Sequence, residues 1–82
     1  MVTSRQIRAG RALLGWTQQT LADHALLAIN TVRAIEQDRA YPKPETVEAA
    51  RRALVKAGIM FLSEGAMGEG VRLAKPRSAK SR

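Results

Sequence analysis

The fold turns on one stretch, Thr17-Gln-Gln-Thr-Leu-Ala-Asp-His-Ala-Leu-Leu-Ala-Ile-Asn-Thr-Val-Arg-Ala-Ile-Glu-Gln37. Thr17 is a residue type that caps a helix, and the run from Gln18 to His24 is a short helix burying Leu21 and Ala22. Ala25, Leu26 and Leu27 form a connection, although no Gly or Pro marks it. A second helix is predicted from Ala28 to Gln37. With Val32 at the centre of its buried face, Ile35 and Ala28 lie beside it at about 100° per residue. The opposite face then presents Asn30, Arg33, Ala34 and Gln37, with Ile29 on the border.

Working outward, Ser4 to Leu14 is amphipathic, with apolar Ile7, Ala9, Ala12, Leu13 and Leu14 and a separate stripe of Arg5, Arg8 and Arg11. Thr3 or Ser4 caps its start, and Gly15 suits a left-handed close. On the other side, residues 38–44 form a loop, and Pro44 fits the first position of a fourth helix that ends at Gly58. That helix buries Val47, Ala50, Leu54 and Ala57, while Arg51, Arg52 and Lys56 face water. Two short apolar runs, residues 59–62 and 71–73, flank a glycine-rich segment and predict a hairpin with a long loop. A lone hairpin is marginal in water, so its apolar side needs either the helical core or a second copy of the chain. The chain is therefore predicted as mostly α, four helices followed by a short β-hairpin, with no internal repeat.

The length of 82 residues allows one domain and a core that removes about 60% of the unfolded chain's surface from water. There is no cysteine and a single histidine, His24, which excludes thiol chemistry and histidine metal clusters. No cofactor or metal is expected. The carboxylates are scattered, and Gly65, Gly68 and Gly70 form only a loose cluster, so an enzyme is not expected. No apolar run reaches the roughly 20 residues that span a bilayer, and the start of the chain lacks a secretion signal, which reads as cytoplasmic. The net charge is +7, but residues 72–82 carry five basic groups and no acidic one. The rest of the chain holds nine basic and seven acidic groups. Pro, Ser and Ala in residues 74–82 argue for a disordered basic tail, which suits a polyanion or merely solubilises the chain.

Two short helices joined by a tight turn, the second with a polar outer face, are the arrangement of a helix-turn-helix. Residues 18–36, Gln-Gln-Thr-Leu-Ala-Asp-His-Ala-Leu-Leu-Ala-Ile-Asn-Thr-Val-Arg-Ala-Ile-Glu, resemble that of the Cro and phage-repressor family, also called the xenobiotic response element family. Arg11-Ala-Leu-Leu-Gly-Trp-Thr-Gln18, Pro44-Glu-Thr-Val-Glu-Ala and Gly70-Val-Arg-Leu73 resemble small bacterial members that end in a strand pair. The resemblance covers about residues 5–74 and implies a lambda-repressor-like domain over residues 1–58, with residues 59–73 as hairpin.

The resemblance also implies roles. Gln18, with Thr17 beside it, meets a DNA phosphate, and Ile29, Asn30, Arg33 and Ala34 meet base edges in the major groove. Asn can hold adenine through N6 and N7, and Arg can fork onto guanine O6 and N7. The bland alternative is that Asn30 and Arg33 are a solvated face. Thr31, Gln37, Arg39 and Lys43 are phosphate contacts, while Arg11 and Glu36 form an ion pair beneath the recognition helix. Trp16 is expected to pack in the core rather than stack on a base, His24 to be solvated, and Arg5 and Arg8 either to lie along DNA or to solubilise the first helix. The implied function is a sequence-specific regulator of double-stranded DNA, a repressor acting as a homodimer, with Ile59, Phe61, Val71 and Leu73 as dimer residues. The alternatives are an antitoxin-type protein that binds a toxin partner and autoregulates, and a nonspecific nucleic-acid binder dominated by the tail. Two residues depart from the family pattern: Leu26 stands where Gly is usual in the turn, and Ala28 where Ser or Thr caps the recognition helix.

Overall fold

The computed structural model describes residues 2–37, 42–63, 65 and 67–74. Four helices, α1 (Ser4–Leu14), α2 (Gln18–Ala25), α3 (Ile29–Gln37) and α4 (Pro44–Lys56), precede strands β1 (Ile59–Leu62) and β2 (Gly70–Leu73). Part of the expected 38–44 loop, including Arg39, and the tail from residue 75 onward lie outside the described residues.

Local chemistry sets the helix ends. Thr3 caps α1 by accepting from the Gln6 amide, and Gln6 returns the favour with its side-chain oxygen on the Thr3 amide, 3.0 Å away. Gly15, at φ 71°, closes α1 in the left-handed conformation. Pro44 stands at the first turn of α4, with Glu45 beside the positive helix end. The helix predicted from Ala28 starts instead at Ile29, and Ala28 is exposed rather than part of the buried face. Ala28 contributes its carbonyl, which accepts from the Thr31 and Val32 amides, so it sits where a cap sits and its methyl points off the helix.

The core takes one or two residues from every helix and one from the sheet: Ile7, Leu21, Ala22, Val32, Ile35, Ala50, Leu54 and Ile59. Gly10 lets α1 approach β1; a β-carbon there would stand 3.3 Å from Ile59 Cγ2 and 3.5 Å from Leu54 Cδ1. Val47 packs against the cluster, as does Trp16. Arg51, expected to face water, folds back onto Glu48 at 2.6 Å and is half-buried.

The hairpin pairs within the chain. β1 and β2 are antiparallel, with Ile59 opposite Leu73 and Phe61 opposite Val71. Residues directly opposite one another share a face of the sheet, and this face lies on the helices. The four residues expected at a dimer interface differ in their exposure within the chain. Ile59 is a core residue at 2% exposure, and Phe61 and Val71 pack against the core; Leu73, at the strand end, is 41% exposed.

Gln6 also ties the sheet to α1. Its Nε2 donates to the carbonyls of Leu62 (3.0 Å) and Gly70 (2.9 Å), the two residues that face each other at the loop end of the hairpin. Arg5 Nε and Thr3 Oγ1 donate to Glu69 at 2.8 and 3.1 Å beside it. The Arg5 hydrogen bond holds the Glu69 carboxyl below its ordinary value near 4.5, against a smaller opposing effect of burial, and Thr3 adds a lesser lowering. The folded-state value is depressed, so this tether is complete above the ordinary value and is lost as pH falls through the lowered one. Glu69→Gln should therefore lower the urea midpoint at neutral pH and leave it nearly unchanged in acid, flattening the acid limb of the profile. Glu48, whose carboxyl Arg51 also holds low, titrates in the same window, so Glu48→Gln is the control. An acid limb unchanged in Glu69→Gln would remove the tether from the fold's stability.

Candidate nucleic-acid interface

The underside of α3 is anchored by a single carboxylate. Glu36 is 1% exposed and lies next to the end of the helix. Arg11, from α1, grips it with two parallel bonds, Nε to Oε2 at 2.7 Å and Nη2 to Oε1 at 2.9 Å. Gln18, at the start of α2, donates its Nε2 to Oε1 at 3.0 Å. Arg11 spends its remaining terminal nitrogen on the Trp16 carbonyl at 2.9 Å, tying in the segment between α1 and α2. Arg8 Nη1 donates to the Glu36 backbone carbonyl, placing a second cation at the negative end of α3. No buried side-chain polar atom is left without a partner among the described residues.

The turn between α2 and α3 uses the same hydrogen bonding as the end of α1. The Leu27 amide reaches back to the Ala22 carbonyl at 2.9 Å, as the Trp16 amide reaches Arg11 at 3.0 Å. At the end of α1 the left-handed residue is Gly15; at the end of α2 it is Leu26, at φ 58° and ψ 44°. The turn thus keeps its shape despite the side chain, at a cost of about 1–2 kcal/mol for a residue with a β-carbon. Burial gives nothing back, because Leu26 is 90% exposed.

With its underside occupied, α3 turns Asn30, Arg33 and Gln37 outward, all exposed, with Ala34 and Ile29 half-buried at the margins. Asn30 and Arg33 touch: Arg33 Nη1 donates to Asn30 Oδ1 at 3.0 Å. A groove of about 380 Å³ runs beside them, lined by Asn30, Thr31, Ala34, Pro42, Lys43 and Thr46. The structure therefore brings Asn30, Arg33, Ala34, Thr31 and the exposed Lys43 to one side of the molecule, at the junction of α3 and the start of α4.

Other expected site residues are engaged differently. Gln18 donates to Glu36, so its amide nitrogen is directed inward. Thr17 caps α2, its Oγ1 accepting from the Thr20 amide at 3.0 Å. Arg5 and Arg8 are both committed within the chain, to Glu69 and to the Glu36 carbonyl. His24, though exposed, stacks on Trp16 with ring centroids 4.3 Å apart and planes 15° from parallel. Sequence reasoning missed this contact and the clamp made by Gln6. Thr3 and Gln6 stand at the spacing of a reciprocal helix cap, a signal that was available. Nothing in the spacing of Trp16 and His24 announces their contact.

Two short helices set across a tight turn, the second locked from below and polar outside, define a DNA-binding helix-turn-helix protein. A family model described as helix-turn-helix matches residues 7–54, more than half of the chain. The chain belongs to this family, the Cro/C1-type or xenobiotic response element regulators, which bind DNA and are not an enzyme family. No curated protein matches the chain. Among the described residues no helix is long and apolar enough to cross a membrane.

Three substitutions test this geometry by their effect on stability. Glu36→Ala leaves the Arg11 guanidinium without its carboxylate and should cost roughly 3–5 kcal/mol in chemical unfolding. A loss under about 1 kcal/mol would mean that the pair does not hold α3. In the opposite direction, Leu26→Gly relieves the left-handed strain, partly offset by a looser unfolded chain, and should gain about 1 kcal/mol. Ala28→Ser adds the missing cap oxygen and should gain about as much.

Proposed function

We propose that the chain is a transcriptional repressor that recognises a specific duplex sequence as a two-fold dimer, with α3 in the major groove. The observation that supports this reading most is the division of α3 into two faces. Glu36 fixes one face from below, and the other offers Asn30, Arg33, Ala34 and Ile29 to base edges. Lys43, Thr31 and Gln37 lie at the edge of that face and serve as phosphate contacts. Arg39, outside the described residues, belongs to the same set. Gln18 and Thr17 contribute to phosphate binding through the start of α2, where backbone amides and the helix dipole favour an anion.

A single module of this size covers about 600–1,000 Å² on DNA, which limits specificity. Two copies related by a two-fold axis would read half-sites about 34 Å apart. The protomer supplies its own cover for the inner face of the hairpin, so the dimer forms through what that sheet leaves exposed, including Leu73 and Met60. Occupying an operator is enough to repress and requires no catalytic step.

Selection of duplexes from a random pool tests the reading, since it reports half-site sequence, spacing and symmetry together. Arg33→Ala should weaken the selected duplex by about tenfold relative to random DNA, the range of one well-formed base contact. Equal weakening of both would remove base readout by that residue. Lys43→Ala should weaken every duplex alike and lower the slope of log affinity against log salt by about 0.9. Sedimentation velocity of the complex checks the dimer: one protomer per selected site would exclude it.

A further inference from the structure

We infer that Asn30 and Arg33 act as one reader with donors only, and that the base it selects is guanine. The inference rests on the placement of α3 in the major groove argued above. Its starting point is the 3.0 Å bond from Arg33 Nη1 to Asn30 Oδ1. Arg has five N–H donors and no acceptor, so the contact itself orients the Asn amide: oxygen toward Arg33, NH2 away. The residues stand three apart on one helix face, where side chains meet, and both are exposed.

The consequence concerns hydrogen-bond polarity. An Asn that reads adenine accepts from N6 with its oxygen and donates to N7 with its nitrogen. Here one lone pair of that oxygen is occupied by Arg33, and an adenine amino group approaching the other would bring its hydrogens against a cation. The tip of α3 therefore offers the Asn30 NH2 and the four remaining N–H groups of Arg33, with no acceptor well placed between them. Guanine presents two acceptors, N7 and O6, on its major-groove edge; adenine pairs an acceptor with a donor; cytosine presents only a donor. Thymine presents a single acceptor, O4, beside its methyl group, so guanine alone matches a donor-only tip at both positions. The expectation that Asn30 reads adenine independently is replaced by a shared contact, in which Asn30 also holds Arg33 in place.

The test uses the full chain and the duplex selected from a random pool. Asn30→Ala, Arg33→Ala and the double variant are compared on that duplex and on versions with each guanine of the half-site replaced by adenine or by 7-deazaguanine, which lacks the N7 acceptor. Both side chains are exposed, so the variants leave the core intact. The inference expects Asn30→Ala and Arg33→Ala to relax discrimination at the same G·C pair, each by about tenfold, with the double variant losing little more. It also expects 7-deazaguanine at that pair to weaken the wild type and leave the variants nearly unchanged. If Asn30→Ala relaxes an A·T pair while Arg33→Ala relaxes a separate G·C pair, the shared reader is overturned and the major-groove reading stands. If neither variant alters discrimination at any base pair, both fall together.

Discussion

A carboxylate almost sealed from water beneath a nine-residue helix is the constraint on which the rest depends. Isolated, a helix of that length is marginal, so its position comes from what it packs against. Val32 and Ile35 supply the apolar contact, but apolar packing alone tolerates small rotations. Glu36 does not. Its two oxygens are claimed by Arg11 from α1 and Gln18 from α2, and the bidentate geometry fixes the roll of α3 as well as its depth. A buried ion pair adds little net stability over apolar residues of the same shape. Its contribution here is angular: it decides which residues of α3 face outward.

The same residues couple the recognition helix to distant parts of the fold. Arg11 also binds the Trp16 carbonyl, in the segment that leads into α2, and Arg8 one turn earlier holds the end of α3. One turn earlier again, Arg5 and Gln6 hold the hairpin. The arginine stripe of α1 thus reads, from one end to the other, as a row of ties to the sheet and to the end of α3. Arginine suits this because its stem packs on apolar surface while several donors serve partners at once.

The helices were legible because their signals are local. Thr3, Thr17, Gly15 and Pro44 mark ends by chemistry that acts within one turn, and the apolar spacing of α3 fixed its outward residues without any tertiary information. What escaped depends on contacts between residues far apart in the chain. Hairpin residues with an apolar face look the same whether a second chain or α1 covers them; the deciding feature is Gly10, whose missing side chain admits Ile59. The bond from the Gln18 side chain to Glu36 joins residues eighteen apart, and nothing local to Gln18 announces it. The turn is the reverse case: Leu26 stands where glycine is usual, yet the hydrogen bonds from Leu26 and Leu27 hold the backbone in the left-handed conformation there.

That strained turn and the absent cap at Ala28 fall at the same junction, directly before the residues that face outward. Neither weakness is compensated by burial, since both side chains are exposed. The side-chain bonds that reach α3 from other helices fall at its end, where Glu36, Arg11, Gln18 and Arg8 converge, while its start packs on the core through Leu27 and Ile29. Asn30 lies in the first turn, Arg33 one turn nearer the anchor. The bond between them therefore links the first turn of the helix, where the cap is missing, to the turn nearer the anchor.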